Sequence, residues 1–149
     1  MCIRDSPNGI AMSADRRHVY VAETTDGILN LYERDAETGE LSQKGLRRGR
    51  FHAGAGLDNI TVDEAGGLWI VAHPRLFDYV KHSKDNALDS ATRTLRIELD
   101  AEAGKAEIED VYVGDGEQLS GGTIAVPVGD AVVMGSVFEK KILICDLPS

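Results

Sequence analysis

Polar and apolar residues alternate with a period of two in "HVYVAE" (18–23), "GILNLYE" (27–33), "NITVD" (59–63) and "LWIVAH" (68–73). The pattern returns in "TLRIELD", "EDVYVGD", "GTIAVPV", "AVVMGSV" and "KILICDL". Successive side chains of a strand point to opposite faces, whereas the apolar stripe of a helix recurs every roughly 3.6 residues. Such a chain is mainly β. Its connectors "SADRR", "TTDG", "AETGE", "DEAGG", "AEAGK" and "VGD" supply Gly, Asp and Ser where a tight turn needs positive φ or a side-chain cap. One segment breaks the pattern: within "RLFDYVKHSKDNALDSAT", Leu76 to Lys84 is expected to form a short helix.

The strands fall into a repeat. "PNGIAMSADRRHVYVAE", "LDNITVDEAGGLWIVAH" and "LSGGTIAVPVGDAVVMGS" share a small or polar pair, an alternating strand, a short turn and a second apolar strand. Asn8 and Asn59 are 51 positions apart, and Asn59 and Thr123 are 64 apart. Periods of this size, with up to about four strands each, fit the blades of a β-propeller. The expected fold is all-β, with blades near 7–50, 51–115 and 116–147, the last showing three clear strands. Propellers close with about four to eight blades, so 7–149 is expected to be the C-terminal half of a larger ring. Residues 1–6, "MCIRDS", resemble a peptide translated from sequencing adapter and are expected to be a non-native leader.

At 149 residues, with 28% charged and 42% hydrophobic side chains, the chain can bury one globular core, and it has no run of about 18 apolar residues that would span a membrane. A net charge of −9 argues against nucleic acid or an anionic membrane as partner, because both reward clustered Lys and Arg. The basic segment "KGLRRGR" (44–50) is expected to be a solvated loop. Cys2 and Cys145 are too few for a disulfide framework and lack metal-binding spacing. One staple between the termini stays open, although Cys2 falls in the expected leader.

In a propeller the innermost strand of every blade begins near the central channel, so polar residues there converge from different blades. Asn8 and the Asp58-Asn59 pair stand at that point in the repeat. Carboxylate and amide oxygens suit a hard cation such as calcium, whereas zinc or copper would want His and Cys clusters. "PNG" and "DN" are also turn-forming strings. Adjacent residues of a regular strand point to opposite faces, so Asp58 and Asn59 reach one ion only if the chain there is loop. His73 shares a strand face with Trp69 and Val71. It is read either as a buried histidine bonded to a backbone carbonyl or as an acid/base or substrate-orienting group. His18, His52 and His82 are expected to be solvated, and Trp69 to pack between blades.

"PNGIAMSADRRHVYVAE", "LDNITVDEAGGLWIVAHP", "LSGGTIAV" and "GSVFEKKILICDL" resemble the second half of the paraoxonase/arylesterase family of calcium-dependent six-bladed propellers, from about Pro7 to Leu147. The resemblance implies hydrolysis of a small-molecule lactone or aryl ester around a calcium ion. It implies Asn8, Asp58 and Asn59 as calcium ligands, His73 as a histidine near the active site, His73 and Asp58 as the catalytic candidates, and Thr123, Val137 and Phe138 as pocket lining. It also implies that Cys145 is the family cysteine that pairs with one near the N-terminus. The family's other calcium ligands and its water-activating histidines belong to an N-terminal half that this chain lacks. Alone, the chain is expected to bind metal weakly, to be inactive and to associate. Other readings are a non-catalytic propeller that binds a ligand or partner, and a strictosidine-synthase-like propeller.

Overall fold

Each repeat unit forms its own antiparallel sheet in the structure, a computed structural model that describes residues 6–147. Of the expected leader only Ser6 is among the described residues, and Cys2 lies outside them. Ser6 is joined to the first sheet, where its carbonyl oxygen accepts the Thr24 N–H at 3.1 Å. The first sheet runs β1 (Pro7–Met12), β2 (His18–Glu23) and β3 (Ile28–Arg34). Its fourth position is split between two short strands, β4 (Leu41–Ser42) and β5 (Arg50–His52), both paired with β3. The second sheet is a regular meander of β6 (Gly56–Val62), β7 (Leu68–His73), β8 (Thr92–Asp100) and β9 (Lys105–Gly114). The third has three strands, β10 (Gly122–Val128), β11 (Ala131–Ser136) and β12 (Ile142–Asp146). The expected helix is α1 (Leu76–His82), inserted between β7 and β8.

Two apolar layers stack these sheets into a fan. Tyr20, Ala22, Leu29 and Leu31 of the first sheet pack on Leu57, Leu68, Ile70 and Leu95 of the second. On the other side, Trp69 and Val71 pack with Leu119, Ala125, Val132 and Met134. Alternate residues of β7 thus serve different layers, and all six of its side chains are buried. Each fully buried Leu or Ile contributes about 1.5–3 kcal/mol relative to exposure, so the middle sheet is held from both faces. Trp69 packs between blades as its sequence position suggests. Among the described residues no helix is long and apolar enough to cross a membrane.

The basic segment is not wholly a solvated loop. Leu46 packs against the first apolar layer. Arg50 belongs to β5, with its guanidinium 3.6 Å from the buried carboxylate of Glu23. The first sheet therefore extends to His52, two residues past the boundary expected from the repeat.

The inner strands touch one another, β1 against β6 and β6 against β10, and each begins with the same irregularity. Pairing shifts between Pro7 and Ile10 in β1, between Leu57 and Ile60 in β6, and between Gly122 and Ile124 in β10. Each shift inserts one extra residue opposite the neighbouring strand, which is a β-bulge.

Candidate functional site

In β6, Leu57 pairs with Ala72 and Ile60 with Ile70, so Asp58 and Asn59 together oppose Val71. The two polar residues therefore sit in the ladder, not in a loop. A bulge re-aims side chains that strict alternation would send to opposite faces, and this replaces the expectation that only a loop could present both. It also revises the alignment of the repeat. Ile10, Ile60 and Ile124 are the first residues back in register, so Asn8 corresponds to Asp58, and Gly9 and Thr123 correspond to Asn59.

Asp58 is 4% exposed and His73 1%. Their side chains meet, with Asp58 Oδ2 accepting a hydrogen bond from His73 Nε2 at 3.0 Å. His73 is thus bonded to a carboxylate, and the reading of a histidine satisfied by a backbone carbonyl is corrected. Its Nδ1 is buried with no partner among the described residues.

The neighbouring bulges close around this pair. Asn59 Nδ2 donates to the carbonyl oxygen of Thr123 at 3.1 Å, tying β6 to the bulge of β10. Asn8 Nδ2 donates to Thr24 Oγ1 at 3.3 Å, and Thr24 Oγ1 donates to the carbonyl oxygen of Leu57 at 2.7 Å. Each amide spends its nitrogen on a protein oxygen, which leaves its Oδ1 uncommitted to that bond. Gly9 permits the approach: a Cβ there would lie 2.3 Å from the carbonyl oxygen of Asp58 and 2.9 Å from Asn59 Cα. Asn8 is exposed, Asn59 half-buried and Thr123 buried.

Among the described residues no three His, Cys, Asp or Glu side chains gather as a metal-binding group. The adjoining bulges of β1 and β6 carry one carboxylate and two amides, a donor chemistry that suits a hard cation better than a thiolate- or imidazole-seeking one. Cys145, half-buried on β12, has no disulfide partner among the described residues. Burial, and then the charge of Asp146, push its pKa up.

Helix α1 builds one wall. Tyr79 stacks on His73 with ring centroids 3.8 Å apart and planes at 24°. Phe138 lies 6.0 Å from Tyr79 and meets His82 edge-on at 5.4 Å, whereas Val137 points to solvent with 61% exposure. Burial, and then the nearby charge of Asp58, raise the Tyr79 phenol above its ordinary value. His82 is not solvated as expected. It is fully buried, and its Nδ1–H donates to the carbonyl oxygen of Leu88 at 2.6 Å. His52 is exposed and His18 half-buried. The sequence reading missed Tyr79 and gave His82 a solvated role, although Leu76, Tyr79 and His82 stand three apart and so share one face of a helix.

The candidate site thus draws on three sheets that no local motif would bring together. The family model described as Arylesterase matches residues 3–147. Human serum paraoxonase/arylesterase 1 is 31% identical over 144 residues, covering 96% of this chain and 38% of that protein. The mouse protein of the same name is 33% identical over 147 residues, and human serum paraoxonase/lactonase 3 is 29% identical over 143. These alignments cover 96% and 95% of this chain, and 38% of each relative. The chain spans well under half the length of the curated relatives it matches. An all-β chain of three blades, matched almost from end to end, belongs to the paraoxonase/arylesterase family of hydrolases.

Proposed function

We propose that this chain is the C-terminal part of a calcium-dependent hydrolase of lactones or aryl esters, with Asn8, Asp58 and Asn59 contributing to the cation site. The observation that carries this reading is the buried Asp58 carboxylate. It is held through Oδ2 by His73 and set in a bulge against the bulges that bear Asn8 and Thr123. A lone buried carboxylate is costly unless paired or bound to metal, and here one oxygen has one hydrogen-bond partner, His73. The names of the relatives, arylesterase and lactonase, supply the substrate class.

A bound calcium ion would polarise the substrate carbonyl and stabilise the oxyanion that develops on it. The chain's own residues prepare the place. His73 Nε2–H fixes the orientation of the Asp58 carboxylate, and the Thr123 carbonyl fixes the Asn59 amide. With Nε2 committed to Asp58, His73 can exchange a proton only through Nδ1, which makes that atom the one to watch for acid/base work. Thr123, bonded to Asn59, and Phe138, beside Tyr79, are read as pocket lining, with Val137 on the exposed side. The base that activates water and the remaining ligands are assigned to sequence outside this chain, so the 149-residue segment by itself is inactive in this reading.

The test uses the complete protein. Asp58 brings the only formal charge among the three ligands, so Asp58→Ala is expected to weaken calcium binding in titration calorimetry. Turnover of a simple aryl ester should fall by about a hundredfold or more, the scale of losing one oxyanion-stabilising element. Unchanged affinity and unchanged turnover together would refute the assignment. Failure of the unmodified, folded protein to hydrolyse any ester or lactone in excess calcium would point instead to a ligand-binding propeller.

A further inference from the structure

We infer that Tyr79, carried by helix α1, is a positioning residue for His73. This inference rests on the reading of Asp58 and His73 as active groups. The imidazole has one hydrogen bond, from Nε2 to Asp58, and none to Nδ1 from the described residues. One bond along the ring plane does not stop the ring tilting about it. The Tyr79 ring, nearly parallel at 3.8 Å, covers a whole face of the imidazole and removes that freedom. Stacked and tilted ring pairs contribute orientation as well as burial.

Tyr79 can do this because α1 is itself braced. Gly121 has φ +56° and no side chain, and a Cβ there would fall 2.9 Å from His82 Cδ2 and 3.4 Å from Tyr79 Cε2. The inward face of the helix therefore rests on bare backbone at the entry to β10. That entry is tied down in turn: the Gly121 N–H donates to the carbonyl oxygen of Ser90 at 3.0 Å. The Gly122 N–H donates to Thr92 Oγ1 at 2.9 Å, and Thr92 Oγ1 donates to the carbonyl oxygen of Leu119 at 2.9 Å. His82 completes the anchor through Leu88 and the edge of Phe138. Few residues separate His73 from Tyr79, so an anchored helix of this length presses its ring onto the histidine that precedes it. The helix is a fixed brace for the site.

The inference separates ring from hydroxyl and orientation from substrate binding. In the complete protein, Tyr79→Phe keeps the ring and should leave kcat and KM near their original values. Tyr79→Leu keeps apolar bulk without a flat face. It should lower kcat on the order of tenfold, within the range that small misplacements of a reacting group produce, with KM changed less than about twofold. A raised KM with unchanged kcat would overturn the inference in favour of a substrate contact. Equal losses in the two variants would also overturn it, by giving the role to the hydroxyl, as would two unchanged variants. NMR of 13C-labelled histidine provides a readout independent of activity. The His73 ring protons should be shifted upfield in the unmodified protein and in Tyr79→Phe, and should move back downfield in Tyr79→Leu. The same position in all three would overturn the stacking. A protein with no esterase or lactonase activity but with the ring-current pattern intact would sink the hydrolase reading and leave the positioning geometry standing.

Discussion

Gly9 shows how one missing atom places a site. Its backbone lies so close to Asp58 and Asn59 that a methyl group would overlap the Asp58 carbonyl oxygen at 2.3 Å, and neither side of that contact is a flexible side chain. Gly9→Ala should therefore push β1 from β6 and cost about 1–3 kcal/mol, as overpacking does, measured as a lowered urea midpoint. Asp63 makes a separate case. Its Oδ1 accepts the Ala65 and Gly67 N–H groups at 2.9 and 2.8 Å, and its Oδ2 accepts Trp69 Nε1 at 2.9 Å. Burial alone would raise this carboxyl, but those three donors and the Arg96 charge outweigh it and hold the pKa below its ordinary value. Because the folded value is depressed, the stabilisation is complete above the unfolded value of about 3.9 and is lost as pH falls through the folded one. Asp63→Asn should thus flatten the acid limb of a stability profile below about pH 4, and Asp63→Ala should cost roughly 1–3 kcal/mol at neutral pH. Asp58 and Asn59 were legible as polar residues at the head of a buried strand. The Asp58–His73 bond was not, since their positions in sequence say nothing of which way a bulged side chain turns.

At the scale of elements, period-two patterning located the long strands because each has a face to bury, and β7 and β10 match their expected limits. β4 and β5 were illegible, since two or three residues cannot display an alternation. The bulges were illegible for a related reason: the extra residue leaves the alternation on either side intact and shows only in the pairing. Helix α1 was legible as a break in strand patterning, but its docking was not, because that depends on Gly121, a residue in another repeat. Gly121→Ala would force a side chain into a left-handed conformation and against the His82 ring. It should loosen α1 while the sheets persist, visible as faster amide exchange over 76–82 with little change in β-sheet circular dichroism.

At the scale of the whole molecule, the described residues leave an apolar face of the third sheet uncovered. On the third sheet Ile124, Val126 and Val128 of β10 and Ile142 and Ile144 of β12 are all more than a third exposed, and contiguous apolar surface of this kind marks an interaction face. In a longer ring the next blade would stack there as the third sheet stacks on the second. Isolated, the chain should self-associate with rising concentration, and Ile142→Lys with Ile144→Lys should shift it toward monomer in sedimentation velocity; a monomer at every concentration before substitution would contradict this. The repeat made the three-blade arrangement readable before any coordinates, because stacked blades need the same strand scheme each time. The bulges that head the inner strands have a consequence of their own. Each sets the polar positions at the head of an inner strand apart from the regular hydrogen-bonded register of its own sheet. The groups that the bulges carry can therefore be exchanged one socket at a time without renegotiating the architecture around them.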